Sequence, residues 1–288
     1  MKKMLITGTS GFLGSRIADF YKNKYEIITP SHGQMDIADE ESVFAYFDEY
    51  KPDMVVHCAA VSDVAQCESE PERSWKINVN GSINIAKASA KVGAKCLVCS
   101  SDQVYVGSNI ESAHEEYEIL QPLNLYGQGK LKAEQECLKV NPDCVMLRLS
   151  WMYDGKQDDL ATGVSSIKSG DFLKNLIYSI KNNEKIGYPF YDKRGITDVY
   201  EVVENMEKAF NIPGGVYNFG SPNHINTYEA VCEMVKSAGF NPEIIVKNDE
   251  AFKENMRNMT MDQKKINSVG IYFPNTIDAV TAKLKEFV

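Results

Sequence analysis

The stretch Thr7-Gly8-Thr9-Ser10-Gly11-Phe12-Leu13-Gly14 limits what this chain can fold into more than any other. It comes directly after the apolar run Met4-Leu5-Ile6, and beyond it Ile17, Ala18, Phe20 and Tyr21 recur at helical spacing. A strand, a glycine turn and a helix are therefore expected at the head of the chain. Gly8 permits the sharp turn, Gly11 lets backbone N–H groups come close to a ligand, and Gly14 lets the helix pack tightly on the sheet. An anion would sit on the helix N-terminus, where unpaired N–H groups and the dipole favour negative charge. In this context the motif reads as a dinucleotide site contacted by Gly8, Ser10, Gly11, Phe12 and Leu13, a purely structural turn being the alternative.

The rest of the chain is compatible with such a sheet. It has 288 residues, 43% hydrophobic and 25% charged, enough for one large or two unequal domains. A net charge of -9 argues against general binding to nucleic acid or anionic membranes, which needs a basic field. No apolar run reaches the roughly 18 residues of a membrane helix, and the start lacks a secretory signal, so a cytoplasmic protein is expected. The seven cysteines show neither a disulfide framework nor metal-ligand spacing. No metal is expected, and Cys96 and Cys99 read as small apolar fillers of a buried strand.

Tyr25-Glu26-Ile27-Ile28-Thr29 is the second expected strand, and the residues just beyond it read the adenosine ribose. An NAD site places an acid there; this chain offers Pro30, Ser31 and His32, with Arg16 available from the preceding helix. That favours NADPH/NADP, with NAD as the alternative. Asp36 and Ile37 are placed at the adenine, and Asp39 as the N-cap of a helix through Phe44 and Phe47 to Tyr50. The third strand, Met54-Val55-Val56-His57-Cys58, leads into Ala59-Ala60; small residues such as Cys58, Ala59 and Ala60 leave room for a ligand crossing the sheet edge. His57, inside an apolar run, reads as a packed core histidine. One long helix is expected from Pro71 to about Val92, with Asn78 supporting nearby backbone.

The fourth strand, Lys95-Cys96-Leu97-Val98-Cys99, delivers Ser100-Ser101-Asp102 to the carboxyl edge of the sheet. Strands and helices alternate up to this point, the signature of a doubly wound parallel sheet. Residues 103–123 lack a period and read as a surface loop. Asn124 can cap a helix that begins with Tyr126-Gly127-Gln128-Gly129-Lys130, and its i, i+4 spacing turns Tyr126 and Lys130 to one side. Two glycines there cost about 1 kcal/mol each against alanine, which fits a helix face kept clear for a ligand.

Together the residues 7–14 motif, His57-Cys58-Ala59-Ala60, Ser100-Ser101-Asp102 and Tyr126 with Lys130 resemble the short-chain dehydrogenase/reductase superfamily in its extended, sugar-nucleotide branch. Glu68-Ser69-Glu70-Pro71-Glu72, Pro122-Leu123-Asn124-Leu125-Tyr126-Gly127, Leu147-Arg148-Leu149-Ser150-Trp151-Met152-Tyr153 and Arg257-Asn258-Met259-Thr260-Met261-Asp262 are similar to segments of the dTDP-4-dehydrorhamnose reductase family. The resemblance implies a Rossmann doubly wound parallel sheet with a smaller C-terminal substrate-binding lobe. It also implies reduction of a keto group on a nucleotide-linked sugar. Tyr126 would be the general acid, Lys130 would lower its pKa and bond the nicotinamide ribose, and Ser101 would orient the substrate oxygen, with Ser100 in reserve. Asp102, Trp151, Arg194 and Arg257 join Ser101 as candidate substrate contacts, and Lys156 as a further phosphate-gripping cation; a surface or packing role is the alternative for Trp151 and for each cation.

The chain departs from the family where it reads Asp192-Lys193-Arg194-Gly195-Ile196-Thr197, and residues 154–170 are longer and more polar than the family's. Later, residues 172–180, 199–210 and 227–238 read as helices and Gly215-Val216-Tyr217-Asn218-Phe219-Gly220 as a strand. The expected division is a cofactor domain over residues 1–151, completed by about 169–220, and a substrate lobe from 152–168 and 221–288. The rivals are an NAD-retaining epimerase or dehydratase of the same branch, and a non-catalytic regulatory subunit that keeps the fold. A homodimer is the expected assembly.

Overall fold

The computed structural model describes residues 1–108, 110–156 and 171–287. β1 (Lys3–Thr7) runs into α1 (Phe12–Tyr21), β2 (Glu26–Ile28) into α2 (Glu40–Tyr50), and β3 (Met54–His57) into α3 (Val64–Ser69), α4 (Pro71–Trp75) and α5 (Ser82–Val92). β4 (Lys95–Ser101) is followed by α6 (Leu125–Val140) and β5 (Val145–Leu149). The second half holds β6 (Trp151–Tyr153), α7 (Phe172–Asn182), β7 (Ile186–Pro189), β8 (Asp192–Arg194), β9 (Ile196–Asp198) and α8 (Val199–Ala209). It ends with β10 (Gly215–Phe219), α9 (Thr227–Ser237), β11 (Ile245–Asn248), β12 (Arg257–Met259), α10 (Lys264–Ser268) and α11 (Thr276–Phe287).

Six strands form one sheet in the order β10-β5-β4-β3-β1-β2, and every neighbouring pair is parallel. Helical crossovers make that possible, since parallel strands cannot be joined by tight turns. The strands are apolar on both faces because both faces are covered. Met4, Ile6, Met54, Val56, Leu97 and Leu147 pack with α1, α8 and α10. The alternating residues Leu5, Val55, Cys96, Val98 and Met146 pack with α2, α5 and α6 on the other side. The chain is therefore a Rossmann-type α/β fold. β2 adds to one side of β1 and β3 to the other, so a crevice opens where their carboxyl ends diverge.

The second half returns to this sheet through β10 and builds a separate core from Tyr153, Phe172, Leu176, Ile196, Val231, Met234 and Leu284. Its parallel strand pairs are β6 with β9, β7 with β11 and β8 with β12. Within the segment 154–170 that departs from the family, residues 157–170 lie outside the described residues. Among the described residues no helix is long and apolar enough to cross a membrane.

Three local expectations are corrected. The helix predicted from Pro71 to Val92 is interrupted by a π-helical turn, Lys76–Gly81. The wider turn seats the Asn78 side chain, which accepts from Val61 N at 2.8 Å and donates to Val61 O at 2.9 Å. Residues 103–123 are not simply a surface loop: Val104, Tyr105 and Val106 are buried against Met259 and Met261, and His114 bridges to Met261. The apolar triplet is a strap from the end of β4 to β12. Finally, Gly127 keeps no face clear for a ligand. A Cβ there would collide with the carbonyl of Gln103, so the glycine lets α6 lie close against that strap.

Candidate active site

The site lies beyond the carboxyl ends of β1, β3 and β4. Gly8 has a φ of +73°, and a Cβ on it would stand 2.7 Å from Ala59 N, so the turn after β1 touches the turn after β3. A Cβ on Gly14 would strike the Gly8 carbonyl, so this glycine closes α1 onto the turn itself. Gly11 is the N-cap of α1 and supplies no side-chain cap, so the first-turn N–H groups are left to other partners. Above them is a cleft of roughly 870 Å³. Gly8, Ser10, Gly11, Phe12, Leu13, Ser31, Asp36, Ile37, Cys58, Ala59, Ala60, Tyr126 and Lys130 all line it.

Arg16 is the exception among the residues assigned to the cofactor. Its guanidinium lies over the Phe12 ring and binds Asp154 by Nε at 3.0 Å and Nη2 at 2.5 Å, so a carboxylate from the second half claims the charge. The guanidinium that does line the cleft is Arg73 on α4, paired at the surface with Glu70. Spacing alone could have signalled it, as Arg73 and Ile77 lie one turn apart on the helix after β3.

A second cavity of about 470 Å³ adjoins the first and shares Phe12, Ser62, Ser101, Tyr126, Ser150 and Met152 with it. Its own wall includes Asp102, Gln103, Trp151, Asp171 and Arg194. Asn124 caps α6 by accepting from Gly127 N at 2.7 Å and so aims its first turn at the junction. Tyr126 is 9% exposed and Lys130 6%. Lys130 Nζ donates to the Cys99 carbonyl at 2.7 Å and stands 5.7 Å from the Tyr126 ring centre. Ser101 Oγ accepts from Gln103 N at 3.2 Å and faces Asp102 Oδ1 at 3.3 Å.

Burial dominates the protonation of this pair. It pushes the Tyr126 phenol up, against a hydrogen bond from Ser101 that pulls it back, and it pushes the Lys130 ammonium down. The expected lowering of the phenol by Lys130 does not lead. His57 is pushed down to about 3 by burial and then by the Lys130 charge, and is a neutral core residue between Thr7 Oγ1 at 2.8 Å and Ser82 Oγ at 3.1 Å.

Behind the site, Ser100, on the wall of the larger cleft, donates its hydroxyl to Glu134 Oε1 at 2.5 Å. Glu134 receives Arg148 Nε at 3.0 Å and Nη2 at 2.7 Å, and Arg148 Nη1 meets Tyr105 OH at 2.8 Å, which donates to Asn218 Oδ1 at 2.6 Å. Sequence reasoning assigns Glu134 no role, although it lies one turn beyond Lys130. On the cavity side Asp102 Oδ2 accepts from Arg194 Nη2 at 2.7 Å, and the guanidinium is 5.4 Å from the Trp151 ring. Burial raises the Asp102 carboxyl despite that cation, and Arg194 Nε is buried without a hydrogen bond. Arg257 does not line the cavity: it binds Asp192 at 2.8 Å and packs on Phe252. Lys156 lies over the Tyr200 ring instead.

The sequence model of a family described as the RmlD substrate binding domain matches residues 1–287. The spore coat polysaccharide biosynthesis protein SpsK of Bacillus subtilis is 29% identical over 254 residues, 88% of this chain and 85% of its own. Methionine adenosyltransferase 2 subunit beta of Xenopus laevis is 29% identical over 241 residues, 81% of this chain and 71% of its own. In fold the chain is similar to the crystal structure of dTDP-4-dehydrorhamnose reductase from Bacillus anthracis in complex with NADP, with a TM-score of 0.81, 23% identity and 100% of both chains covered.

Proposed function

The chain belongs to the family of the RmlD substrate binding domain, and on that premise we propose that it is an NADP(H)-dependent reductase of a keto group on a nucleotide-linked deoxysugar, most like dTDP-4-dehydrorhamnose to dTDP-rhamnose. One observation carries this reading. Ser101 and Tyr126 line both cavities, so a proton donor and a hydrogen-bond donor stand where a cofactor and a second molecule would meet.

The larger cleft suits a dinucleotide diphosphate, since the uncapped N-terminus of α1 faces it behind glycines that admit no Cβ. Ser31 and His32 at the end of β2 put no carboxylate at the ribose, and Arg73, although paired with Glu70, lines the same cleft as a cation that a 2′-phosphate would attract. NADPH supplies the hydride to the carbonyl carbon when bound. Tyr126 then gives its phenolic proton to the carbonyl oxygen. Burial holds that phenol protonated, the state a general acid needs before the step. Ser101 donates a hydrogen bond to the same oxygen and fixes it beside the phenol. Lys130, anchored on the Cys99 carbonyl, stabilises negative charge as it develops on Tyr126 and orients the ribose hydroxyls. Asp102, Arg194 and Trp151 face the substrate.

A non-catalytic subunit is the second reading, favoured by the likeness to methionine adenosyltransferase 2 subunit beta. Tyr126→Phe separates the two. With NADPH and dTDP-4-dehydro-6-deoxy-L-mannose, the variant is expected to lose about 10²–10⁴-fold in kcat, the usual worth of a general acid, with an unchanged circular dichroism spectrum. A wild-type protein that binds NADP(H) but turns over no keto sugar, or a Tyr126→Phe variant as active as wild type, would overturn the proposal.

A further inference from the structure

β3 and β4 bring two thiols together on the floor of the larger cleft. The strand register sets His57 beside Val98, so the next residues, Cys58 and Cys99, lie side by side with their Sγ atoms 3.5 Å apart. Adjacent strands run about 4.7–4.9 Å apart, inside the Cα separation of about 4.4–6.8 Å that a disulfide spans. Both residues line the cleft, Cys58 half-buried and Cys99 7% exposed. Cys96, Cys137 and Cys144 differ: they lie in the core on the opposite face of the sheet and line neither cavity.

We infer that Cys58 and Cys99 form an oxidisable dithiol, closed to a disulfide by hydrogen peroxide and reopened by small thiols, and that closing it weakens dinucleotide binding. The second half of this inference rests on the NADP(H) reading of the cleft. Lys130 Nζ is bonded to the Cys99 carbonyl, so its ammonium favours a thiolate at that residue, and Cys99 attacks first. Its sulfur takes one peroxide oxygen as the O–O bond breaks, giving a sulfenic acid and one water. Cys58 then attacks that sulfur, the S–S bond forms, and the hydroxyl leaves with the Cys58 proton as a second water. The two sulfurs give up two electrons and the peroxide oxygens receive them.

The coupling has a structural route. The carbonyl of Cys99 anchors Lys130, and Ala59, next to Cys58, touches the Gly8 turn. Drawing the two sulfurs from 3.5 Å to a bonded distance of about 2.05 Å pulls on both.

The test treats the full chain with hydrogen peroxide, blocks remaining thiols, maps peptides by mass, and measures NADPH affinity before and after. The expected result is a 58–99 link lighter by two hydrogens, about tenfold weaker NADPH binding, recovery with dithiothreitol, and slower oxidation in saturating NADPH. In Cys58→Ser the sulfenic acid on Cys99 should persist and be trapped by dimedone, whereas Cys232→Ser should still form the link. Oxidation elsewhere without a 58–99 link would overturn the dithiol, and a link that leaves NADPH affinity unaltered would overturn the coupling. Untreated protein that fails to bind NADPH would remove the cofactor reading, and the peptide map would still decide the dithiol.

Discussion

Two ion pairs flank the end of β4 and are finished in opposite ways. Behind it, Arg148 and Glu134 are 3% and 2% exposed, joined by two hydrogen bonds and enclosed by Ser100 and Tyr105. In front, Arg194 and Asp102 are 13% and 2% exposed, joined by one hydrogen bond, with Arg194 Nε unused and the pair facing the second cavity. Ser100 belongs to the first pair, Asp102 to the second, and Ser101 between them reaches both cavities. The closed pair ties α6, which carries Tyr126 and Lys130, to β5. Its donors and acceptors are committed to the protein. The open pair retains hydrogen-bonding capacity, which suits it to reading a ligand.

Removing one partner tests the distinction most strongly at the closed pair. Arg148→Met leaves the Glu134 carboxylate buried without its cation, and unfolding in urea should show a loss of about 3–5 kcal/mol. A loss below about 1 kcal/mol, the range of exposed pairs, would collapse the contrast. At the open pair, Arg194→Gln should act on the substrate rather than the fold. Asp102 can take up a proton there, because burial already favours its neutral form. Stability should fall by about 1 kcal/mol, while KM for the nucleotide sugar rises about tenfold or more, the worth of a charged hydrogen bond, and NADPH affinity stays unchanged. A variant with weakened NADPH binding and unaltered KM would place Arg194 with the scaffold.

The contrast also separates what is legible in the sequence from what is not. The residues 7–14 turn is legible because strand, glycine turn and helix are local, and each leaves its own pattern within a few residues. Tyr126 and Lys130 are legible for the same reason, one helical turn apart. Arg16 misleads because Asp154, which claims its guanidinium, lies 138 residues away. Cys99 is the buried filler that the sequence suggests, but its neighbouring thiol is 41 positions earlier and adjacent only through the sheet register, so the pairing itself leaves no local sign. Gly127 misleads because the Gln103 carbonyl it accommodates belongs to a segment without periodicity. Long-range pairing set by topology leaves no local signal, and these misreadings fall on such pairs.

The smallest effect is the most specific to the open pair. Burial holds the Asp102 carboxyl above its ordinary 3.8, with Arg194 acting in the other direction. The folded protein therefore keeps this proton to higher pH than the unfolded chain does. The stability it contributes is fully present below the unfolded value, near 3.8, and is lost as pH rises through the folded one. Asp102→Asn has no such proton to lose. Urea titrations at stepped pH should show wild-type stability falling relative to the variant from about pH 4 upward, then running parallel once Asp102 is ionised in both states. In the Arg194→Gln background, without the cation that opposes burial, the parallel region should begin at higher pH. A difference that stays flat across this range would mean that Asp102 holds its proton equally well folded and unfolded. The front pair would then be no more desolvated than a surface pair, and its claim to read a ligand would have to rest on geometry alone.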